Sequence, residues 1–190
     1  MRMANVHLTS KNQEEAIKSL RKALEIKPDL LEAQRALILI ALESKKPEDA
    51  LAVARQVQKQ RPKEAIGMAL EGDIQAAGQH WPEAASAYRS ALKLAAAPEL
   101  AIKLHSVYLA EKNRAEAEKT AAAWLKDHPK DVAFRFHLAD VALASKDYTT
   151  AAQYYRAAVD IQPNNPLALN NLAWASGQLK SPRAIEYAEK

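Results

Sequence analysis

Residues 14–28, EEAIKSLRKALEIKP, are matched by 48–62, EDALAVARQVQKQRP, by 82–96, PEAASAYRSALKLAA, and by 149–163, TTAAQYYRAAVDIQP. Their leading alanines are Ala16, Ala50, Ala84 and Ala151. Ala117, in AEAEKTAAAWLKDHP (115–129), falls between the last two, and Ala184 opens a further copy, RAIEYAEK (183–190). Successive steps are 34, 34, 33, 34 and 33 residues. Four residues past each alanine stand Leu20, Ala54, Tyr88, Ala121, Tyr155 and Ala188; three further on come Ala23, Val57, Ala91, Trp124 and Ala158. That i, i+4, i+7 spacing is one face of a helix. Pro28, Pro62, Pro129 and Pro163 follow, with Pro98 slightly displaced. Proline lacks an N–H and clashes with the preceding turn, so each closes its helix.

The half-repeat before each alanine carries a second helical pattern: EAQRALILIALES (32–44), IGMALEGDIQAAG (66–78), ELAIKLHSVYLAE (99–111), VAFRFHLADVALAS (132–145) and LALNNLAWASGQL (167–179). The unit is therefore a pair of antiparallel helices, and the chain is an all-α stack of about 5–6 such repeats, at approximately 1–30, 31–64, 65–97, 98–131, 132–165 and a partial 166–190. Each pair alone leaves apolar surface uncovered, and stacking completes the core. Small residues, Gly72, Ala139 and Ala173, stand where paired helices should cross. Enlarging the seam at Ala84 or Ala151 to leucine is expected to cost about 1–3 kcal/mol by overpacking. The copy beginning at Ala184 stops halfway, and only about ten residues precede Lys11 and Asn12, so the array reads as truncated at both ends.

Composition agrees with helices. Only 4 glycines occur, and Ala, Leu, Glu, Lys and Gln dominate, which are good helix formers. The net charge of +4 is spread among interspersed acids and bases, as on a solvated helical surface. The absence of cysteine excludes disulfides and thiol chemistry. Residues 1–8, MRMANVHL, have neither the apolar run nor the cleavage site of a secretory signal. No segment approaches the roughly 20 apolar residues of a spanning helix.

A helix-pair period of about 34 is that of the tetratricopeptide repeat (TPR), which the chain resembles throughout. The resemblance implies a right-handed α-solenoid whose first helices line a concave groove for a partner. The segments at 71–94, 98–131 and 138–190 also resemble a narrower group, the long TPR lipoproteins that accompany the PEP-CTERM/exosortase protein-sorting system of exopolysaccharide-producing bacteria. The most telling pieces are Trp124-Leu125-Lys126-Asp127-His128-Pro129, Leu169-Asn170-Asn171-Leu172-Ala173-Trp174, and Ser181-Pro182-Arg183-Ala184. That resemblance implies export, a periplasmic or lipid-anchored location, and a scaffolding role in sorting. The cysteine that would carry the lipid is not in this sequence.

By the same resemblance, the groove is lined by Glu32, Arg35, Leu39, Leu42 and Glu43 in the second repeat. Ala69, Asp73 and Ala76 follow in the third, Glu99, Ile102, Ser106 and Leu109 in the fourth, Phe136, Asp140 and Leu143 in the fifth, and Asn170 and Trp174 in the sixth. Phe136 and Trp174 are the expected anchors, since aromatic side chains carry much of the energy of an interface. The competing reading is that either packs against its own second helix. The partner expected is a protein or peptide segment with apolar anchors and some basic groups. The Lys and Asn pairs with which chaperone-type TPR domains clamp a terminal carboxylate are not read here: Arg35, Leu39, Leu70, Glu99 and Lys103 occupy comparable positions.

Other classes are weaker. There is no phosphate loop, HExxH or cysteine nucleophile, so the chain reads as non-catalytic, with no cofactor and no metal. Of the histidines, His7, His80, His105, His128 and His137, only His105 and His137 could meet, on adjacent first helices. Nucleic acid is disfavoured because Glu32, Glu43, Asp73, Glu99 and Asp140 at inward positions would repel phosphates. The remaining alternative is a structural spacer, or an array that self-associates through its ends.

Overall fold

The computed structural model describes residues 13–189. Among them are helices and no strand. In chain order these are α1 (Gln13–Ile26), α2 (Leu31–Glu43), α3 (Pro47–Gln60), α4 (Ile66–Ala77), α5 (Trp81–Leu94), α6 (Pro98–Ala110), α7 (Arg114–Asp127), α8 (Val132–Ala144), α9 (Tyr148–Ile161), α10 (Pro166–Gln178) and α11 (Ala184–Ala188). The bounds follow the repeat. The even-numbered helices are the first of each pair, and α3, α5, α7, α9 and the short α11 are their second helices. The expected helix ahead of Lys11 and Asn12, and His7, lie outside the described residues.

The chain divides into two compact units, one running to Leu100 and including Val107–Lys112, the other made of Ala101–Ser106 and the residues from Asn113 onward. In the first unit each of α1 to α5 packs on its neighbour in sequence. Ile38, Ala50, Leu51, Ala54, Val57, Leu70 and Ile74 form one core cluster, and Ala16, Leu20, Ala33 and Ile40 another. In the second unit α8 to α11 pack successively around Ala139, Ala142, Ala151, Tyr155, Leu172, Ala175 and Tyr187. The repeat-defining alanines Ala16, Ala50, Ala84 and Ala151 are fully buried, and Ala117 nearly so. This is the burial on which the overpacking prediction rests. Thermal denaturation of Ala84→Leu and Ala151→Leu should show midpoints lowered in keeping with about 1–3 kcal/mol; unchanged midpoints in both would remove the seam assignment.

The crossing of paired helices is filled by a compensating pair of side chains, the eighth residue of the first helical half and the alanine-plus-four position of the second. In the four pairs from α2/α3 to α8/α9 these are Ile38 with Ala54, Gly72 with Tyr88, His105 with Ala121, and Ala139 with Tyr155; in α10/α11 the equivalent Ala173, expected at a crossing, is only half-buried and Ala188 is exposed, so the last pair departs from the pattern. Where one is large the other is small, and all eight are buried. At Gly72 an added Cβ would lie 2.5–2.9 Å from the Tyr88 ring. Interior space at native density leaves room for one bulky group, not two.

The turn joining each pair is also repeated. Lys45, Gln79, Lys112, Lys146 and Lys180 all have positive φ, between 53° and 63°. This left-handed residue ends the first helix and lets the following N–H groups cap its last carbonyls. Lys46 N donates to Ala41 O at 2.8 Å, His80 N to Gln75 O at 2.9 Å, and Asp147 N to Ala142 O at 2.9 Å. None of these positions is glycine. The hydrogen-bonded turn therefore holds a conformation that L side chains rarely adopt.

Loops between repeats are tied by polar side chains. The Gln34 amide, fully buried, donates to Pro28 O at 3.1 Å and to Gln60 Oε1 at 2.7 Å, and Gln60 in turn donates to Pro28 O at 3.0 Å. Trp124 does a comparable task in the second unit: its indole N–H donates to Asp131 Oδ2 at 2.6 Å, and its ring lies 3.9 Å from that of His128. Asp131 Oδ1 simultaneously caps α8 through the Phe134 N–H. The Trp124–Pro129 segment, singled out above for its family resemblance, thus has a local structural use in turning α7 into α8.

Candidate functional site

The candidate site is made of the expected inward positions of the first helices, in each unit separately. In the first unit, Glu32, Arg35, Leu39 and Glu43 of α2 are exposed, with Leu42 half-buried. Leu39 is 57% exposed although it sits between the buried Ile38 and Ile40, so α2 has one open apolar position in an otherwise covered stretch. On α4, Asp73 is half-buried and accepts a 2.6 Å hydrogen bond from the Tyr88 hydroxyl. Ala69 and Ala76 beside it are half-buried, as is Leu109 of α6. Glu99 is exposed.

In the second unit, Ser106, Asp140, Asn170 and Trp174 are exposed, while Ile102, Phe136 and Leu143 are half-buried. Phe136 and Trp174 part company here. Phe136 stands edge-on to Tyr155 with ring centres 5.5 Å apart and belongs to the margin of the core. Trp174 touches Tyr148 at 5.8 Å but keeps 50% of its surface open. Asp140 accepts from the Tyr155 hydroxyl at 2.6 Å, as Asp73 does from Tyr88. Burial first, and then the adjoining carboxylate, push both phenols well above their ordinary range. Each tyrosine therefore stays a neutral donor that fixes a carboxylate on this side of its helix. Asp140 has no cation within salt-bridge distance among the described residues. The Tyr–Asp pairing was not read from the sequence. Its signal was available in the recurrence of Asp73/Tyr88 as Asp140/Tyr155, the same 15 residues apart.

His105 and His137 do meet. Their Nδ1 and Nε2 atoms are 2.9 Å apart, and the Phe134 ring lies 5.9 Å from one and 5.8 Å from the other. His105 is only 4% exposed. Burial, reinforced by the neighbouring His137, lowers its pKa to about 4. His137 is also lowered by burial, with Asp140 pulling the opposite way. At neutral pH both rings are uncharged, and one N–H is shared between two nitrogens, an arrangement that packs a polar pair in the core position held elsewhere by Ile38 or Ala139. Among the described residues no group of three or more His, Cys, Asp or Glu side chains converges as a metal site would require.

The tetratricopeptide repeat family model matches residues 35–101 and 106–166, and a second tetratricopeptide model matches 1–30. The chain belongs to the tetratricopeptide repeat family. The solved structure of PilF from Pseudomonas aeruginosa is similar, with a TM-score of 0.60 and 22% identity over 99% of this chain and 85% of that one. PilW, described as a widely conserved type IV pilus biogenesis factor, also scores 0.60, at 16% identity over 98% of this chain and 87% of that one. YrrB, described as a TPR protein with an unusual peptide-binding site, scores 0.51 at 16% identity over 90% and 89%. At these identities the likeness is one of fold. No curated protein sequence matches the chain. Proteins of this family present helix pairs to protein or peptide partners, and no helix among the described residues is long and apolar enough to cross a membrane.

Proposed function

We propose that this TPR protein is a non-catalytic scaffold that seats a segment of another protein against the open side of its first helices. The finer assignment, to a bacterial exopolysaccharide-associated PEP-CTERM/exosortase sorting system with the protein at the periplasmic side of a membrane, rests on the resemblance of the segments at 71–94, 98–131 and 138–190. The observation that carries the scaffold reading is the exposure of Leu39 and Trp174. Two large apolar side chains, at the same position of two first helices, are left 57% and 50% open. Asp140, held by Tyr155, adds a fixed negative charge suited to a basic group on the partner. In the first unit Arg35, Leu39 and Glu43 are the accessible groups, with Asp73 and Leu109 half-buried; in the second, Ser106, Asp140, Asn170 and Trp174 are accessible, with Ile102, Phe136 and Leu143 half-buried.

The test is capture of partners from a membrane-plus-periplasm extract by the wild type and by Trp174→Ala/Asp140→Ala, both exposed positions. Loss of an interfacial aromatic anchor costs about 2 kcal/mol or more, so capture should fall roughly thirtyfold while circular dichroism is unchanged. A captured protein from outside the sorting machinery would leave the scaffold and remove the sorting assignment. Equal capture by both proteins would remove the site.

A further inference from the structure

A second surface lies in the first unit, away from the first-helix face. The second helices α1 and α3 flank α2 and leave a cleft of about 380 Å³ between them. Ile17 and Leu24 of α1 form one wall, Val53 of α3 the other, and Leu37 and Ile40 of α2 the floor. Cavities that hold small ligands or side-chain anchors start at about 300 Å³, so the volume is sufficient for a pair of apolar side chains. At about 3.6 residues per turn, Leu37, Ile40, Ala41 and Ser44, which face the cleft, are on the opposite side of α2 from Arg35, Leu39, Leu42 and Glu43. One helix thus offers two separate surfaces.

The charges at the cleft are unequal. Arg21, Lys46 and Asp49 border it. Asp49 is in the first turn of α3, where the helix N-terminus already favours a negative charge. Arg21 and Lys46 are exposed and make no ion pair or side-chain hydrogen bond among the described residues. The cleft is therefore apolar within and carries two cations against one carboxylate at its edge, a net positive charge.

We infer that the cleft between α1 and α3 binds a short acidic amphipathic peptide segment, which inserts apolar side chains between the helices and sets a flanking carboxylate against Arg21 and Lys46. A basic segment would meet like charge there, and a wholly apolar one would leave both cations without a counter-charge. The site is independent of the first-helix face, and either can fail without the other.

The experiment pans a phage-displayed random dodecapeptide library on the full chain, then measures fluorescein-labelled copies of the enriched peptides by anisotropy. Expected sequences pair neighbouring apolar residues with Asp or Glu. Arg21→Glu/Lys46→Glu, which changes only exposed positions, should weaken those peptides about tenfold or more, with the loss shrinking at high salt. Leu39→Asp, on the other side of α2, should leave their affinity unchanged. Enrichment of basic peptides, sensitivity to Leu39→Asp instead of the double charge reversal, or no enrichment at all would each overturn the proposal.

Discussion

Acidification from pH 7 is expected to cost the second unit about 3 kcal/mol through one pair of rings. In the unfolded chain His105 titrates near its ordinary 6.5, and in the fold near 4. The unfolded chain therefore takes up the proton first as the pH falls. The neutral pair contributes its full stability above about 6.5, loses it progressively through the window, and contributes nothing below about 4. Roughly 2 kcal/mol of the loss should be seen by pH 5, before most carboxylates protonate. Asp140, beside His137, favours the charged form of that ring and opposes part of the effect. Urea denaturation followed by circular dichroism at pH 7, 6 and 5 measures it. His105→Leu, which removes the buried imidazole, should give a flatter dependence, and parallel curves for the two proteins would show that the pair does not control acid stability.

The second large effect concerns Gly67. Its carbonyl accepts from the Gln58 side chain at 3.3 Å, and that same amide donates to Glu71 at 2.5 Å, so Gln58 ties α3 to α4. A Cβ on Gly67 would stand 2.6 Å from Gln58 Cγ, 2.8 Å from its backbone N and 2.9 Å from its Cα. A side-chain tip could rotate away, but the backbone of a packed helix cannot move without its neighbours. Gly67→Ala should therefore cost about 3 kcal/mol, the upper end of ordinary overpacking. Gly177→Ala is the control: an added Cβ there has nothing within 4 Å, and Ala has the better helix propensity by about 1 kcal/mol. Denaturation midpoints should move in opposite directions for the two variants. A Gly67→Ala midpoint equal to wild type would mean that α3 and α4 tolerate separation.

The helices and their pairing were legible because they depend on periodicity. Ala16, Ala50, Ala84, Ala117 and Ala151 announce a buried face by their spacing, and the prolines announce its end. Gly72 and Ala139 were correctly placed at crossings for the same reason. Gly67 was not, because its constraint comes from the Gln58 backbone on another helix, and glycine does not recur at that repeat position: Ala33, Leu100, Phe134 and Ala168 stand there in other repeats. The left-handed turns also escaped notice, since lysine or glutamine occupies a place where glycine would have signalled them. At the candidate site, the family resemblance named positions on each first helix but could not separate Phe136 from Trp174. Phe136 has a tyrosine, Tyr155, to lean on in its own pair, and Trp174 reaches only Tyr148. The cleft between α1 and α3 was invisible for a related reason: its walls belong to two different repeats, and each wall residue on its own looks like part of a helix's buried stripe.

The reciprocal filling at the helix crossing changes how relatives of this chain should be compared. Within one molecule the two places read Ile and Ala, Gly and Tyr, His and Ala, Ala and Tyr. Column by column each looks permissive, accepting anything from glycine to an aromatic ring. Taken as a couple the two places share one interior space, so a larger residue at one is expected to require a smaller residue at the other. Covariation between these two columns, not constancy in either, is the signature by which selection on this joint would be recognised.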